Sequence, residues 1–196
     1  MPVLRHNDQF NAIKCTILVA DLAPYGTMLA RRSCVQAVAH GCTYRLGPEL
    51  EIPGYGCEDH FVEADTIDHS WEVVMDLMQS GYTDRLVVDV GMPVLHNGVR
   101  YNCRVIMLRR KILLIRPKLY LADDGNYREG RYFSAWKRPG LHEFFKCGSL
   151  RQQWQNALPR PVRHIEIIGH LVVPGFSLQA ATTRGTDVWT NDMPVW

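Results

Sequence analysis

The chain has 196 residues, of which 46% are hydrophobic and 21% are charged, so it can bury the core of one domain and is too apolar for general disorder. Its formal net charge is only +2 and its basic residues are mostly scattered, which excludes the electrostatic footprint of a nucleic-acid-binding protein. No apolar run approaches the roughly eighteen residues of a membrane span, and the first residues lack a signal-peptide layout, so we expect a cytoplasmic protein without membrane contact.

The N-terminal part predicts an alternation of strand, helix and strand. Residues 12–20 are apolar and β-branched enough for a buried strand. Residues 27–40 predict a helix that Gly41 ends in a left-handed conformation, and residues 43–46 predict the next strand. The apolar positions that fall roughly on one face of this helix are Met28, Val35, Val38 and Ala39. This alternation indicates an α/β fold.

A second helix is marked by apolar side chains at helical spacing, with Asp65 or Thr66 as its cap and Gly81 as its end. The members of the stripe are Trp71, Val74, Met75 and Met78. We interpret this stripe as core.

The middle of the chain predicts a run of strands. Residues 85–90 form the first, and the Asn-Gly pair of residues 96–99 predicts a tight hairpin into a strand over 99–108. A turn at Arg109 and Arg110 leads to residues 112–115, which are apolar on both faces, as in a strand covered by layers on either side. Pro117 ends this strand.

The C-terminal part changes character. Residues 137–163 are irregular, residues 164–173 predict one strand, and residues 174–196 show no sustained period, as in a poorly ordered tail. We therefore divide the chain into a partial domain over 1–138 and a divergent segment over 139–196.

Two charged residues stand at the ends of predicted strands, where open α/β sheets place their ligands. Glu49 follows the strand of residues 43–46 and precedes a glycine-rich turn, and Lys118 follows Pro117. A carboxylate facing a lysine in a partly buried site stays ionised and suits a base near neutral pH. Alone, however, Glu49 is more simply an exposed loop acid and Lys118 a surface cation.

The motifs around these residues carry a family resemblance. They are residues 47–56 (Gly-Pro-Glu-Leu-Glu-Ile-Pro-Gly-Tyr-Gly), 89–93 (Asp-Val-Gly-Met-Pro), 100–104 (Arg-Tyr-Asn-Cys-Arg), 116–118 (Arg-Pro-Lys) and 126–133 (Asn-Tyr-Arg-Glu-Gly-Arg-Tyr-Phe). Residues 42–136 resemble the nitrilase-type glutaminase domain of glutamine-dependent NAD synthetases. The resemblance implies a partial nitrilase-type α-β-β-α sandwich, with one sheet largely present and the second incomplete.

The resemblance also implies roles for four residues. In that family the glutamate that matches Glu49 is the general base, and the lysine that matches Lys118 stabilises the tetrahedral intermediate. A second glutamate, matching Glu129, positions the lysine. Tyr55 matches an aromatic residue that packs on glutamine, although a core tyrosine is an equally good interpretation from the residue alone.

The family's nucleophilic cysteine has no recognisable counterpart. Cys147 is the one cysteine after Lys118, and it lacks the family's acidic neighbours, so an ordinary loop thiol is the simpler interpretation. The six cysteines include no C-x-x-C pair, and residues 57–60 (Cys-Glu-Asp-His) are too close together to converge on one ion, so we expect no metal site.

The resemblance therefore implies a fragment of a glutaminase that supplies ammonia for amidation of deamido-NAD, with little or no activity of its own. We expect glutamine as its substrate, no cofactor in this chain, since ATP and deamido-NAD belong to the synthetase half, and self-association through faces of the fold. One alternative is a non-catalytic remnant that acts as a binding or interaction module. Another is a different carbon-nitrogen hydrolase that uses Cys147.

Overall fold

The structure is a computed structural model that describes residues 15–17, 26–138, 142–146, 164–168, 172–173 and 176–177. Two α-helices lie in this part of the chain, α1 (Gly26–Ala39) and α2 (Ala64–Gln79). The strands are β1 (Cys15–Ile17), β2 (Tyr44–Leu46), β3 (Val87–His96), β4 (Val99–Leu108), β5 (Lys111–Pro117), β6 (His142–Lys146), β7 (His164–Ile168), β8 (Val172–Val173) and β9 (Phe176–Ser177). The predicted α/β class is confirmed.

Seven of these strands form one mixed sheet in the order β1-β2-β3-β4-β5-β7-β6, and β8 pairs with β9 separately. The first three strands are parallel, β3, β4 and β5 are joined by antiparallel hairpins, and β7 is parallel to β5. Strand β6 lies antiparallel on β7. Strands β2 and β5 therefore run in the same direction on either side of the β3–β4 hairpin, so their C-terminal ends point to the same edge of the sheet.

Both predicted hairpin turns are present. Asn97 and Gly98 have φ of 49° and 77°, as the Asn-Gly pair predicts for a type I′ turn. Arg109 and Arg110 also have positive φ, 52° and 57°, which is unusual for residues with a β-carbon. The Arg110 guanidinium is held by the Asp84 carboxylate at 2.9 and 3.1 Å.

The predicted stripe of α2 is core, as expected. Its members Trp71, Val74, Met75 and Met78 are buried in one cluster with β3 and β4. Trp71 also stacks on Phe145 of β6 with ring centroids 5.3 Å apart. Because Phe145 is buried, β6 contributes to the same core.

Helix α1 is present, but its predicted apolar face points to solvent. Met28, Val35, Val38 and Ala39 are all exposed. The buried face consists of small side chains, Ala30, Ser33, Cys34 and Ala37. Small residues let the helix lie close to the sheet, and Ser33 Oγ accepts a 2.9 Å hydrogen bond from Arg45 Nε, which a larger apolar residue could not provide.

The boundaries of other predicted elements differ in detail. The cap of α2 is Glu63 rather than Asp65 or Thr66, and Thr66 Oγ1 instead donates to the His60 carbonyl. Gly81 has φ of 81° just after the helix, as predicted. The strand predicted over 85–90 begins at Val87 and continues to His96, so it carries Pro93 within it.

Two further predictions about strands need correction. Leu113 of β5 is 49% exposed, so layers cover both faces of this strand only from Leu114 onward. The single strand predicted over 164–173 is divided between β7 and β8, which belong to different sheets. The predicted strand over 12–20 is described only at 15–17, and the predicted tail beyond residue 177 lies outside the described residues.

Candidate active site

The loop after β2 lies flat against β3 because Gly91 has no side chain. A β-carbon on Gly91 would lie 2.4 Å from the Leu50 amide nitrogen and 2.8 Å from the Pro48 carbonyl oxygen. Backbone hydrogen bonds from Gly47 to Asp89 and from Ile52 to Gly91 hold the loop in place. This contact fixes Glu49 over the middle of the sheet.

Lys118 and Glu129 come from later segments of the chain and approach the Glu49 side chain. Lys118 follows β5 directly, and its backbone N–H donates to the Asn102 carbonyl at 2.8 Å. Glu129 begins a short 3₁₀ helix (Glu129–Arg131), and its backbone N–H donates to the Ala122 carbonyl. Both side chains are buried.

The three charged side chains meet at the Lys118 ammonium. Lys118 Nζ lies 2.7 Å from Glu49 Oε1, and 2.9 and 2.8 Å from Glu129 Oε1 and Oε2. Glu129 Oε2 also accepts the Ala122 N–H at 2.9 Å. The structure thus brings together the three residues to which the sequence resemblance assigns catalytic roles.

Asn102 of β4 belongs to this cluster, and sequence reasoning missed it as a site residue. Its side-chain amide donates to Glu49 Oε1, the same oxygen that accepts from Lys118. The available signal was its polar position in an alternating strand. Its position opposite Lys118 could not be predicted from the sequence, because it depends on the register between β4 and β5.

The other oxygen of Glu49, Oε2, is buried without a hydrogen-bond partner among the described residues. Burial raises the pKa of the Glu49 carboxyl; Lys118 opposes this shift, and the negative charge of Glu129 adds to it. Glu49 therefore presents one free acceptor oxygen and a raised proton affinity. This combination suits a general base.

Tyr55 contacts the cluster through its hydroxyl group. Tyr55 Oη donates to Glu129 Oε1 at 2.7 Å, and its half-buried ring meets Tyr127 edge-on with centroids 5.8 Å apart. Burial, followed by the bond to Glu129, raises the pKa of the Tyr55 hydroxyl. Packing of this ring on a substrate stays a prediction.

A second polar network, also missed from the sequence, braces the loop and the sheet. Arg104 Nε donates to Asp89 Oδ1 at 2.7 Å, and Tyr44 Oη donates to Asp89 Oδ2 at 2.7 Å. Arg45 binds both carboxylate oxygens of Glu51. These buried charges are paired, as buried charges must be to remain stable.

Four thiols have described side chains, and the hydrogen bonds of Glu49, Lys118 and Glu129 given above involve none of them. Cys34, Cys42 and Cys103 are buried, and Cys57 donates to the Pro53 carbonyl at 2.8 Å. Burial raises the pKa of the Cys57 thiol, which disfavours a thiolate. Cys147 lies outside the described residues.

Two other features of the described residues bear on alternative sites. No group of three or more His, Cys, Asp or Glu side chains there has the geometry to hold a metal ion, residues 57–60 included. In the same part of the chain, neither helix is long and apolar enough to cross a membrane.

Comparison with known proteins identifies the family of this chain. The sequence profile of the carbon-nitrogen hydrolase family matches residues 13–185. This chain belongs to the carbon-nitrogen hydrolase family. The match continues past residue 138 into the segment in which we recognise no family motif, so a boundary there stays a prediction.

The most similar curated proteins include glutamine-dependent NAD(+) synthetases. The protein from Arabidopsis thaliana is 52% identical over 115 residues, which are 58% of this chain and 16% of the relative. The one from Homo sapiens is 62% identical over 98 residues, 50% of this chain and 14% of the relative. The chain thus spans about one seventh of the length of the curated relatives it matches.

Solved structures confirm the nitrilase-type fold. A glutamine-dependent NAD(+) synthetase from Cytophaga hutchinsonii superimposes with a TM-score of 0.68 at 21% identity, covering 82% of this chain and 26% of that one. An amidase of the nitrilase superfamily from Nesterenkonia superimposes with a TM-score of 0.55 at 15% identity, covering 67% of this chain and 51% of that one.

Proposed function

We propose that this carbon-nitrogen hydrolase chain is the part of a glutamine-dependent NAD(+) synthetase glutaminase that binds the side-chain amide of glutamine. The observation that carries the proposal is the Lys118 ammonium between the buried Glu129 carboxylate and the largely buried Glu49 carboxylate, with Glu49 Oε2 free to accept a proton. The 52% to 62% identity with glutamine-dependent NAD(+) synthetases supports glutamine as the substrate.

The chemistry is the one that the family resemblance implies for a glutamate, a lysine and a cysteine, of which the described side chains supply the first two. Glu49 Oε2 takes the proton of a cysteine thiol, and the thiolate attacks the amide carbon of glutamine. Glu49 returns the proton to the leaving ammonia, and a glutamyl thioester remains. Water then attacks the thioester with Glu49 again as the base, which releases glutamate and restores the thiol.

Lys118 stabilises the oxyanion that forms in each step. All three of its N–H donors are engaged with Glu49 and Glu129, so one must turn toward the substrate oxygen. Glu129 tolerates this change because Tyr55 and the Ala122 amide also donate to it. Glu129 therefore acts as the positioning residue for the lysine.

We expect little or no turnover from this chain alone, because its sequence has no cysteine in the motif that carries the family's nucleophile. Hydrolysis of the amide needs no cofactor. ATP and deamido-NAD would be substrates of the amidation that consumes the ammonia. A cytoplasmic location stays a prediction.

Titration of the chain with glutamine labelled with ¹³C at the amide carbon tests this proposal. We expect saturable binding that weakens at least about tenfold in Lys118→Met, the loss of one charged hydrogen bond, and is unchanged in Lys111→Met. Lys111 is the matched control because it is an exposed lysine at the start of β5, the strand that Lys118 follows. Equal binding by both variants would remove Lys118 from the site.

The second candidate is a non-catalytic module that pairs with other subunits of this fold. The exposed apolar face of α1 favours it. A glutamate-release assay run beside the titration separates the two candidates. Failure to bind glutamine, together with a stable complex between copies of the chain, would favour the module.

A further inference from the structure

Arg116 is a buried cation that the proposed function does not use. It lies on β5 two residues before Lys118 and directly opposite Arg104 of β4. Its side chain is 0% exposed. Its Nε, Nη1 and Nη2 atoms are all buried and have no hydrogen-bond partner among the described residues.

The carboxylates of the two buried polar networks are already engaged with other partners. Asp89, which acts on Arg116 electrostatically, accepts hydrogen bonds from Arg104 and Tyr44 on its two oxygens. Glu49 and Glu129 share Lys118. The described ion pairs therefore leave the Arg116 guanidinium without a carboxylate of its own.

Burial lowers the pKa of Arg116 to about 10, and Asp89 opposes the shift. The group is thus still charged at neutral pH. A charge buried without a partner is strongly destabilising, whereas a hydrogen-bonded counter-ion removes most of that cost. A planar guanidinium with five N–H donors matches the two oxygens of a carboxylate.

We propose that Arg116 is a binding site for a carboxylate group, separate from the Glu49, Lys118 and Glu129 cluster. The carboxylate comes either from a small free molecule or from a side chain of the polypeptide. Glu166 of β7 is the acid to test for the second source, since β7 pairs with β5 through Ile167 and Ile115. The proposal does not depend on glutamine binding.

Urea unfolding of the whole chain, at constant ionic strength with chloride replaced by formate, tests for a free ligand. Above half-saturation, each tenfold rise in formate should raise the folding equilibrium constant about tenfold. Arg116→Met should abolish this response, and Arg110→Met, at an exposed arginine, should keep it. A response that Arg116→Met retains in full would overturn the proposal.

The same variants identify a side-chain source. If formate has no effect, the proposal predicts that Arg116→Met and Glu166→Gln each lower stability and that their effects are not additive. If formate acts no better than chloride and Arg116→Met is as stable as the wild type or more stable, Arg116 binds no carboxylate.

Arg116→Lys provides a variant that keeps the charge and does not depend on the apolar replacement folding. Its ammonium lacks the planar fork, so ¹³C-formate binding measured by NMR should weaken at least about tenfold. Formate binding of equal strength in the wild type and in this variant would contradict recognition by the guanidinium.

Discussion

At the scale of single residues, the ionised Glu49 carboxylate lowers the stability of the folded chain. It is largely buried beside Glu129, and this partial burial raises the pKa of its carboxyl above the unfolded value of about 4.3. A raised pKa means that the folded chain binds the proton more tightly, so wild-type stability rises as the pH falls through that window. We expect Glu49→Gln to increase the free energy of unfolding by about 1 kcal/mol at pH 7.

The gain should disappear as the pH falls from the raised pKa toward the unfolded one, because a protonated Glu49 resembles glutamine. Urea unfolding of both proteins across this range measures the difference. Glu51→Gln is the control, since it leaves the buried Arg45 without its carboxylate and should destabilise by about 3 kcal/mol. A Glu49→Gln protein less stable than the wild type at pH 7 would contradict this account.

Some of the residues in the candidate site could be predicted from the sequence, and others could not. Glu49, Lys118 and Glu129 are predictable because each stands in a short motif that resembles a family pattern. Asn102 and the network of Asp89, Tyr44 and Arg104 are not, because their partners depend on the register between strands. The orphaned guanidinium of Arg116 likewise follows only from its burial.

At the scale of elements, the turn between β4 and β5 stores strain. Arg109 and Arg110 both have positive φ, which disfavours residues with a β-carbon. We expect Arg109→Gly to raise the free energy of unfolding by about 0.5 to 1 kcal/mol, after the extra entropy of glycine is included. Chemical denaturation measures the change.

Arg110→Gly is the matched control for this prediction. It relieves the same strain but loses the hydrogen bonds of Arg110 to Asp84, so it should stabilise less. A loss of stability in Arg109→Gly would mean that its side chain has a role the backbone conformation does not explain.

Helices show why patterning succeeds for one element and fails for another. Apolar spacing identified the core face of α2 because its large side chains pack on β3 and β4. In α1 the buried face is made of Ala30, Cys34 and Ala37 with Ser33, and small residues contribute little to an apolar pattern. The larger apolar residues Met28, Val35 and Val38 lie on the solvent side, so their spacing predicted the wrong face as core.

At the scale of the whole molecule, this apolar face and the edges of the sheet favour self-association. Met28, Val35 and Val38 are each between 45% and 53% exposed, and β1 and β6 are the outer strands of the seven-stranded sheet. We expect gel filtration with light scattering to give a mass that rises with concentration. Val35→Lys combined with Val38→Glu should reduce it, and a uniform monomer in the wild type would contradict the expectation.

The central claim is that Glu49 and Lys118, far apart in sequence, form one buried charged site. The most direct measurement is a double-mutant cycle of Glu49→Gln and Lys118→Met in urea unfolding. The 2.7 Å contact between the two groups predicts a coupling free energy of about 1 to 3 kcal/mol. The same cycle with Lys111→Met should give zero, and a Glu49 to Lys118 coupling also indistinguishable from zero would show that these groups do not share a site.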